Sequence, residues 1–384
     1  MRPFALTLFL GLAPFLHAQD GVLVLRAFEA APPGEAVAAD ALGVRVRNAQ
    51  GDSVVVGWDR VLRLPDTLAE AGEPYEQYAL DAWRARTRIE RGDLVLAEPL
   101  LESLSARYRP LRGPTGLVIA EGLLRARLAR NANESGIEAW LAWLDANVVR
   151  QPRTSFANAQ WARQAGLPPV LDVQTELCPT LPPMWLATAS LQLLLDLPSI
   201  EGEREKVSAM RAYYQAAARH ELGQSVASLP EPPRERSSEL VRDIVAARVL
   251  GESDRSSARA RLEAALKQPN SPWMTAWLRA AIGRSLVVEQ DPEMRLRGVA
   301  ELLRVHVLHR GDAPKLADIA LAEAASVLDQ LGHSSAAVGL AQELARLDPR
   351  SAVLSWPGVA RLLDGPAGGV ALPQTTPETV GGPT

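Results

Sequence analysis

The sequence predicts a mostly α-helical protein: an α-solenoid built from helical hairpins, with a small β module at its N-terminal end. In residues 75–363 apolar side chains recur at helical spacing, and Pro and Gly separate the segments. In residues 21–64 they instead alternate with a period near two. Most helices carry Ala and Leu on one stripe and Arg and Glu elsewhere, so each must bury that stripe against its neighbours. A globular helical bundle is the alternative architecture.

The composition limits the classes of function. The 384 residues include 41 Lys and Arg against 45 Asp and Glu, with 47% apolar and 22% charged residues, which is ordinary for a folded chain. A formal net charge of −4 provides no basic field, so no nucleic-acid partner is expected. The single cysteine, Cys178, excludes an internal disulfide and any multi-cysteine metal site. We expect it to be a buried small hydrophobe.

Residues 1–18 have the features of a secretory signal peptide. Arg2 provides a positive start, residues 4–16 are almost wholly apolar, and Ala18 is a small residue at the expected cleavage point. A buried N-terminal helix or strand is the alternative. No later segment reaches the roughly 20 apolar residues that a spanning helix needs, so we expect no transmembrane segment after signal removal. The expected location is the periplasm of a bacterium or the extracellular medium.

Residues 19–66 form the predicted β module. Strand-like segments lie at 22–25, 44–47, 54–56 and 61–64, which gives three to five strands. The outline is similar to small SH3-like barrels. A module of this size buries little apolar surface alone, so we expect it to pack on the helices that follow.

Thirteen helices are predicted, with short breaks and no strand between them. They cover residues 75–91, 94–104, 117–130, 136–148, 153–165, 183–196, 202–222, 236–250, 254–267, 272–288, 292–309, 314–331 and 334–347. Residues 75–350 thus form one helical repeat domain, which is irregular and broken by prolines at 150–222. Residues 364–384 are mostly Gly, Pro and Thr, and we expect a disordered tail there.

Two segments share a specific spacing of small residues. In each, a small residue is followed twelve positions later by Ala, with Gly five positions before that Ala. The residues are Ala85, Gly92 and Ala97 in the first segment and Ala325, Gly332 and Ala337 in the last. This spacing resembles the tetratricopeptide repeat (TPR), in which two antiparallel helices meet at small residues. Residues 237–266 and 273–307 keep the rhythm of helix pairs, with Gly283 at a contact point, whereas 150–222 is either a distorted repeat or an insertion.

The TPR resemblance implies a concave groove lined by the first helix of each pair. Carried over to this chain, it assigns Arg86 and Glu90 to the groove in the first unit, and Ser326, Asp329 and Gln330 in the last. Grooves of this kind hold peptide segments or partner helices, so the expected partners are other envelope proteins or peptides. The alternative for each residue is an ordinary solvated side chain.

No catalytic motif accompanies these features. The sequence contains none of the GxSxG, GxxxxGK[ST] or GxGxxG patterns. His306 and His309 are spaced i,i+3 and could reach one metal ion, but no HExxH-type motif supplies further ligands, so a structural role is favoured. Neither a metal nor a cofactor is predicted. An acid/base pair assembled from distant segments stays open.

The chain has nine tryptophans, some of them paired on one helix face. Trp140 with Trp143 and Trp273 with Trp277 could form platforms for sugars or peptides, although such pairs more often fill gaps between helices. We therefore expect an exported, non-enzymatic scaffold or adaptor that binds peptide segments or partner proteins in the cell envelope. A cell-wall-associated enzyme or glycan-binding protein that uses tryptophan platforms is the alternative.

Overall fold

The computed structural model describes residues 22–147, 154–156 and 161–364. The predicted signal peptide lies outside these residues, as does the predicted tail apart from Asp364. No helix in the described part is long and apolar enough to span a bilayer.

Five short strands lie within the predicted β module. They are β1 (Val24–Leu25), β2 (Glu35–Asp40), β3 (Gly43–Arg47), β4 (Ser53–Val56) and β5 (Val61–Arg63). Strands β2, β3 and β4 pair antiparallel in sequence order, with Val44 opposite Val56, and β1 pairs with β5 in a separate sheet. The turn into β3 requires glycine, because Gly43 has φ +139° and a Cβ there would lie 2.2 Å from the carbonyl oxygen of Val56.

The described strands form no closed barrel, so the SH3-like outline is wrong. Barrel closure would require the edge of β4 to pair with another strand of the module. That edge instead pairs, in parallel, with β6 (Thr154–Phe156), a strand about a hundred residues further along the chain.

The β module packs on the helices, as expected. Trp58 is 2% exposed, stacks on the ring of Tyr75 at 4.8 Å and donates its indole N–H to the carbonyl of Asp40. Next to it, Asp59 accepts a hydrogen bond of 2.9 Å from the hydroxyl of Thr115, a residue of the helical region.

The rest of the described chain is mostly helical. The helices are α1 (Ala69–Gly72), α2 (Glu76–Glu90), α3 (Leu94–Arg107), α4 (Gly113–Ala129), α5 (Asn133–Ala146), α6 (Trp161–Gln164), α7 (Gln192–Leu195), α8 (Glu205–Glu221), α9 (Arg236–Val249), α10 (Glu252–Leu266), α11 (Pro272–Leu286), α12 (Pro292–His309), α13 (Pro314–Gln330), α14 (Ser334–Leu347) and α15 (Pro357–Asp364).

Consecutive helices pack against each other, which gives a solenoid-like stack. Helices α2 to α5 form one run and α8 to α15 another, and alternate helices α9, α11, α13 and α15 also touch in series. The small residues of the sequence pattern lie at these interfaces: Ala85, Ala97, Ala325 and Ala337 are all fully buried. Gly283 also lies at a close contact, because a Cβ there would be 3.0 Å from the carbonyl oxygen of Gly298.

The middle of the chain differs from the prediction. Within its described residues, the predicted helix 153–165 contains strand β6 and the short helix α6. The predicted helix 183–196 is reduced to α7 and one 3-10 turn, Ala189–Leu191. Between α6 and α7, residues 165–188 form neither helix nor strand, and we call this segment the connector. Tertiary pairing overrides local propensity at β6, and five prolines in the connector remove backbone donors that a helix needs.

Candidate functional site

The two predicted groove residues of the first unit take part in an ion-pair cluster. Arg86 contacts Asp59 at 3.0 Å and Glu90 at 2.7 Å, with Glu29 at 3.5 Å. Burial raises the pKa of Asp59, and the neighbouring Arg86 only partly opposes that effect. Arg86 therefore joins α2 to the β module and is not an open groove side chain.

The three predicted groove residues of the last unit also bond within the chain. Gln330 accepts a hydrogen bond from Arg295 of α12, and Asp329 pairs with Arg361 of α15. Ser326 is 7% exposed and accepts a long hydrogen bond from Gln330. Among the described residues, no hydrogen bond or ion pair joins this set to Arg86 and Glu90. Their role in binding a partner stays a prediction, but Arg86, Asp329 and Gln330 already connect their helices to other elements, while Glu90 and Ser326 bond within their own helices.

The connector lies against helices α5, α8 and α11, which bind it through its main chain. Four helix side chains donate hydrogen bonds to four of its carbonyl oxygens: Trp140 to Glu176 (2.9 Å), Trp277 to Pro179 (3.0 Å), Tyr214 to Leu181 (2.5 Å) and Arg284 to Trp185 (2.6 Å). The donors come from α5, α8 and α11, so one irregular segment crosses several helices. Buried carbonyls need such partners, because prolines and irregular backbone leave them without a secondary-structure ladder. This part of the helical face is therefore occupied by the chain itself.

The paired tryptophans are part of the core. Trp140 and Trp277 are fully buried, Trp273 is 9% exposed, and the rings of Trp273 and Trp277 meet edge to face at 5.1 Å. Trp143 is half-buried. These rings fill gaps between helices, which is the more common role of such pairs, and Trp140, Trp273 and Trp277 offer no exposed platform. Cys178 is also buried, as expected, and burial raises the pKa of its thiol to about 11.

Four charged side chains form a closed cluster beneath the connector, which we call the charge box. It consists of Glu221 (α8), Arg248 (α9), Arg284 (α11) and Glu323 (α13), with each arginine bonded to both carboxylates at 2.7–3.1 Å. Burial alone would raise the pKa of Glu221, but the attraction of Arg284 and Arg248 holds it below its usual value. The charge box thus ties four helices of the stack together.

An open cavity of about 590 Å³ lies where α8, α9 and α11 begin, next to the start of the connector. We call it the polar cavity. Five uncharged polar residues line it: Gln174, Thr175, Ser237, Asn270 and Ser271. At one side Lys206, which is 6% exposed, contacts Glu176 and Glu235 at 2.6 Å each. Leu240 and Met274 supply apolar wall, and Val173 is 81% exposed. The arrangement offers both donors and acceptors without a large net charge.

Ser237 is the most deeply placed hydroxyl of this cavity. It is 6% exposed and lines the cavity, where its hydroxyl can donate to or accept from a bound group in place of water.

No metal site is found in the part of the chain that the structure describes. There, no group of three or more His, Cys, Asp or Glu side chains could hold a metal ion. The Nδ1 atoms of His306 and His309 are buried without hydrogen-bond partners, and burial lowers the pKa of His306.

Comparison with known proteins gives no relative. No known protein family, no curated protein and no solved structure matches this chain significantly. The TPR resemblance therefore stays a prediction, whereas the solenoid-like packing of consecutive helices is a property of the structure.

Proposed function

We propose that this protein is an exported, non-enzymatic binding protein that holds a peptide segment of another envelope protein. The observation that supports this most is the polar cavity of about 590 Å³ at the ends of three helices. Its volume is within the range of about 300–1,000 Å³ that small-molecule and cofactor sites occupy. The cavity lies open beside the start of the connector, whose own backbone occupies the neighbouring surface of α5, α8 and α11.

The lining favours a peptide. A peptide backbone presents alternating N–H and C=O groups, and the amide of Gln174 with the hydroxyls of Ser237 and Ser271 can pair with both. The NH2 group of Asn270 already donates to the carbonyls of Ala265 and Gln268, so this residue offers its side-chain oxygen as an acceptor. The glycan-binding alternative depended on exposed tryptophan platforms, and the paired rings are buried. The connector provides a precedent within this fold, because its own backbone is held by side chains from successive helices.

Site-specific photocrosslinking in the native envelope tests this function. A photoreactive residue at Val173, which is 81% exposed beside the polar cavity, should give a discrete adduct with one partner protein. The matched control is the same residue at Val307 of α12, which is 73% exposed and does not line the cavity. Mass spectrometry identifies the partner.

A second substitution links the adduct to the cavity. Ser271→Trp would fill part of the space, and the Ser271 side chain makes no capping hydrogen bond that the helix would lose. It should abolish the adduct, whereas Ser253→Trp on the exposed face of α10 should not. Equal crosslinking from Val173 and Val307, or an adduct that survives Ser271→Trp, would reject the cavity as the binding site. An adduct made of wall sugars would support the glycan alternative.

Export has a separate test. If residues 1–18 act as a signal peptide, the protein recovered from the envelope fraction should begin at Gln19. An intact N-terminus in that fraction would argue against cleavage.

A further inference from the structure

A second cavity, of about 220 Å³, lies between the α4–α5 turn of the first helical run and the last helices of the second run. We call it the clasp cavity. Its walls come from the α4–α5 turn, the connector, the start of α13 and the link from α14 to α15. Lys315 at the start of α13 donates a hydrogen bond of 2.8 Å to the side-chain oxygen of Asn133, a residue 182 positions earlier. The clasp cavity and the polar cavity share no lining residue.

The clasp cavity contains charged side chains of both signs that form no ion pair. Lys315 and Glu134 are half-buried, yet no ion pair within 4.0 Å includes either of them among the described residues. The same holds for Asp348 and for Arg350, which is exposed. Other half-buried charges vary: Arg279 pairs with Glu301, whereas Arg295 has no counter-ion in the described part of the chain and donates to the side chain of Gln330 and the carbonyl of Val287.

Partly buried charges without a counter-ion are costly. Here neutral hydrogen bonds, from Ser190 to Glu134 and from Lys315 to Asn133, take the place of an ion pair. Burial lowers the pKa of Lys315, and the attraction of Glu134 and Asp348 only partly offsets this. Those two carboxylates therefore attract the Lys315 ammonium electrostatically, but neither lies within the 4.0 Å of an ion pair. A ligand with one charge of each sign would complete both interactions.

We propose that the clasp cavity binds a free amino acid or a very short peptide that carries both an ammonium and a carboxylate group. Lys315 and Arg350 provide donors for the carboxylate, and Glu134 and Asp348 provide acceptors for the ammonium. Trp185, Leu186 and Ile319 form an apolar wall for the side chain. The volume lies below the range of drug-sized sites, which restricts the ligand to this size. Such a ligand would bridge segments from the two helical runs and stabilise the folded chain.

Calorimetric titration of the full chain with capped and uncapped peptides tests the proposal. The probe is L-alanyl-L-alanine, and the controls are its N-acetyl form, its C-terminal amide and the doubly capped form. Each missing charge removes a charge-assisted contact, so each singly capped form should bind about ten-fold more weakly or worse. Equal affinity for the capped and free dipeptides, or no binding of the free dipeptide at millimolar concentration, would overturn the proposal without any variant.

Two variants assign the contacts. Lys315→Gln should remove the preference for the free carboxylate over the amide, while Glu134→Gln should remove the preference for the free ammonium over the acetyl form. Lys267→Gln and Glu231→Gln, at exposed positions outside the cavity, are the matched controls and should keep both preferences. Ser271→Trp in the polar cavity should leave dipeptide binding unchanged, so the two proposals fail independently. Dipeptide binding that Ser271→Trp abolishes would place the site in the polar cavity and overturn the assignment.

Discussion

Replacing Arg284 by methionine should strongly destabilise the helical stack. Arg284 is 2% exposed, and its guanidinium bonds Glu323 at 2.7 Å, Glu221 at 3.0 Å and the carbonyl of Trp185 at 2.6 Å. Methionine retains apolar volume but leaves two buried carboxylates with only Arg248 between them. Removing one partner of a buried ion pair costs about 3–5 kcal/mol. Because Arg248 still bonds both carboxylates, we expect the lower end, about 3 kcal/mol.

The double variant Arg284→Met, Glu323→Met separates this mechanism from simple loss of packing. It leaves Glu221 and Arg248 as a balanced pair at 3.1 Å, and an apolar replacement of a buried pair is often nearly neutral. The double variant should therefore be more stable than Arg284→Met alone. The assay is urea unfolding followed by far-UV circular dichroism at neutral pH, with both single variants measured alongside.

Two results would show that the charge box does not act as a unit. One is a destabilisation of the double variant that equals the sum of the two single-variant destabilisations. The other is a destabilisation below about 1 kcal/mol for Arg284→Met alone.

Acid unfolding provides a second measurement of how strongly Arg284 stabilises the charge box. The folded-state pKa of Glu221 lies below the ordinary value of 4.5. Its contribution to stability is therefore present above that ordinary value and is lost as the pH falls through the lowered one. In Arg284→Met the pKa of Glu221 should rise, so acid unfolding should begin at a higher pH than in the wild type. An unchanged acid-unfolding midpoint would contradict this.

Three further predictions concern packing and buried polar groups. Gly298→Ala would place a Cβ 2.8 Å from the carbonyl oxygen of Gly283 on the facing helix α11, so it should destabilise the protein by about 1–3 kcal/mol. Gly339→Ala lies on the exposed face of α14 with nothing within 4 Å of the new Cβ, so it should stabilise the protein by about 0.5–1 kcal/mol in the same unfolding assay. Cys178, with its thiol pKa raised to about 11, should resist thiol reagents at mildly alkaline pH until the protein is unfolded, and fast labelling of the folded form would contradict its burial. Thr115→Val removes the hydroxyl that donates to the buried carboxylate of Asp59 and should cost about 1–3 kcal/mol; a neutral effect would mean that this bond contributes nothing to docking of the β module.

The regular helices could be predicted because their signal is local. Apolar periodicity with Pro and Gly punctuation determines α8 to α14 to within a few residues, and the spacing of small residues correctly marks interfaces such as Ala325 with Ala337. Gly283 could also be identified as a contact point. Glycine inside a helix lowers helix stability, and a close contact with a neighbouring helix is a reason to keep it there. These features depend on residues a few positions apart.

The connector and β6 could not be predicted, because their environment comes from distant parts of the chain. Residues 154–156 become a strand because β4 offers them an edge, and nothing in the local sequence contains that information. The role of Arg86 was missed for a similar reason: its counter-ion Asp59 belongs to the β module, 27 positions earlier. A signal did exist for the charge box, since Arg284 interrupts an otherwise small and apolar stretch of α11.

The connector also changes which surfaces of the solenoid are available for binding. A helical-repeat groove normally leaves the first helices of its pairs open to a partner, but here α8 and α11 bond the carbonyls of Leu181 and Trp185. Buried apolar residues of the connector, including Leu177 and Met184, belong to the same core as these helices, so displacing the segment would expose that core. The faces of α8 and α11 that the connector covers are therefore part of the core, and the open cavities lie at the helix ends. Both cavities occur there, beside the beginnings of α11 and α13.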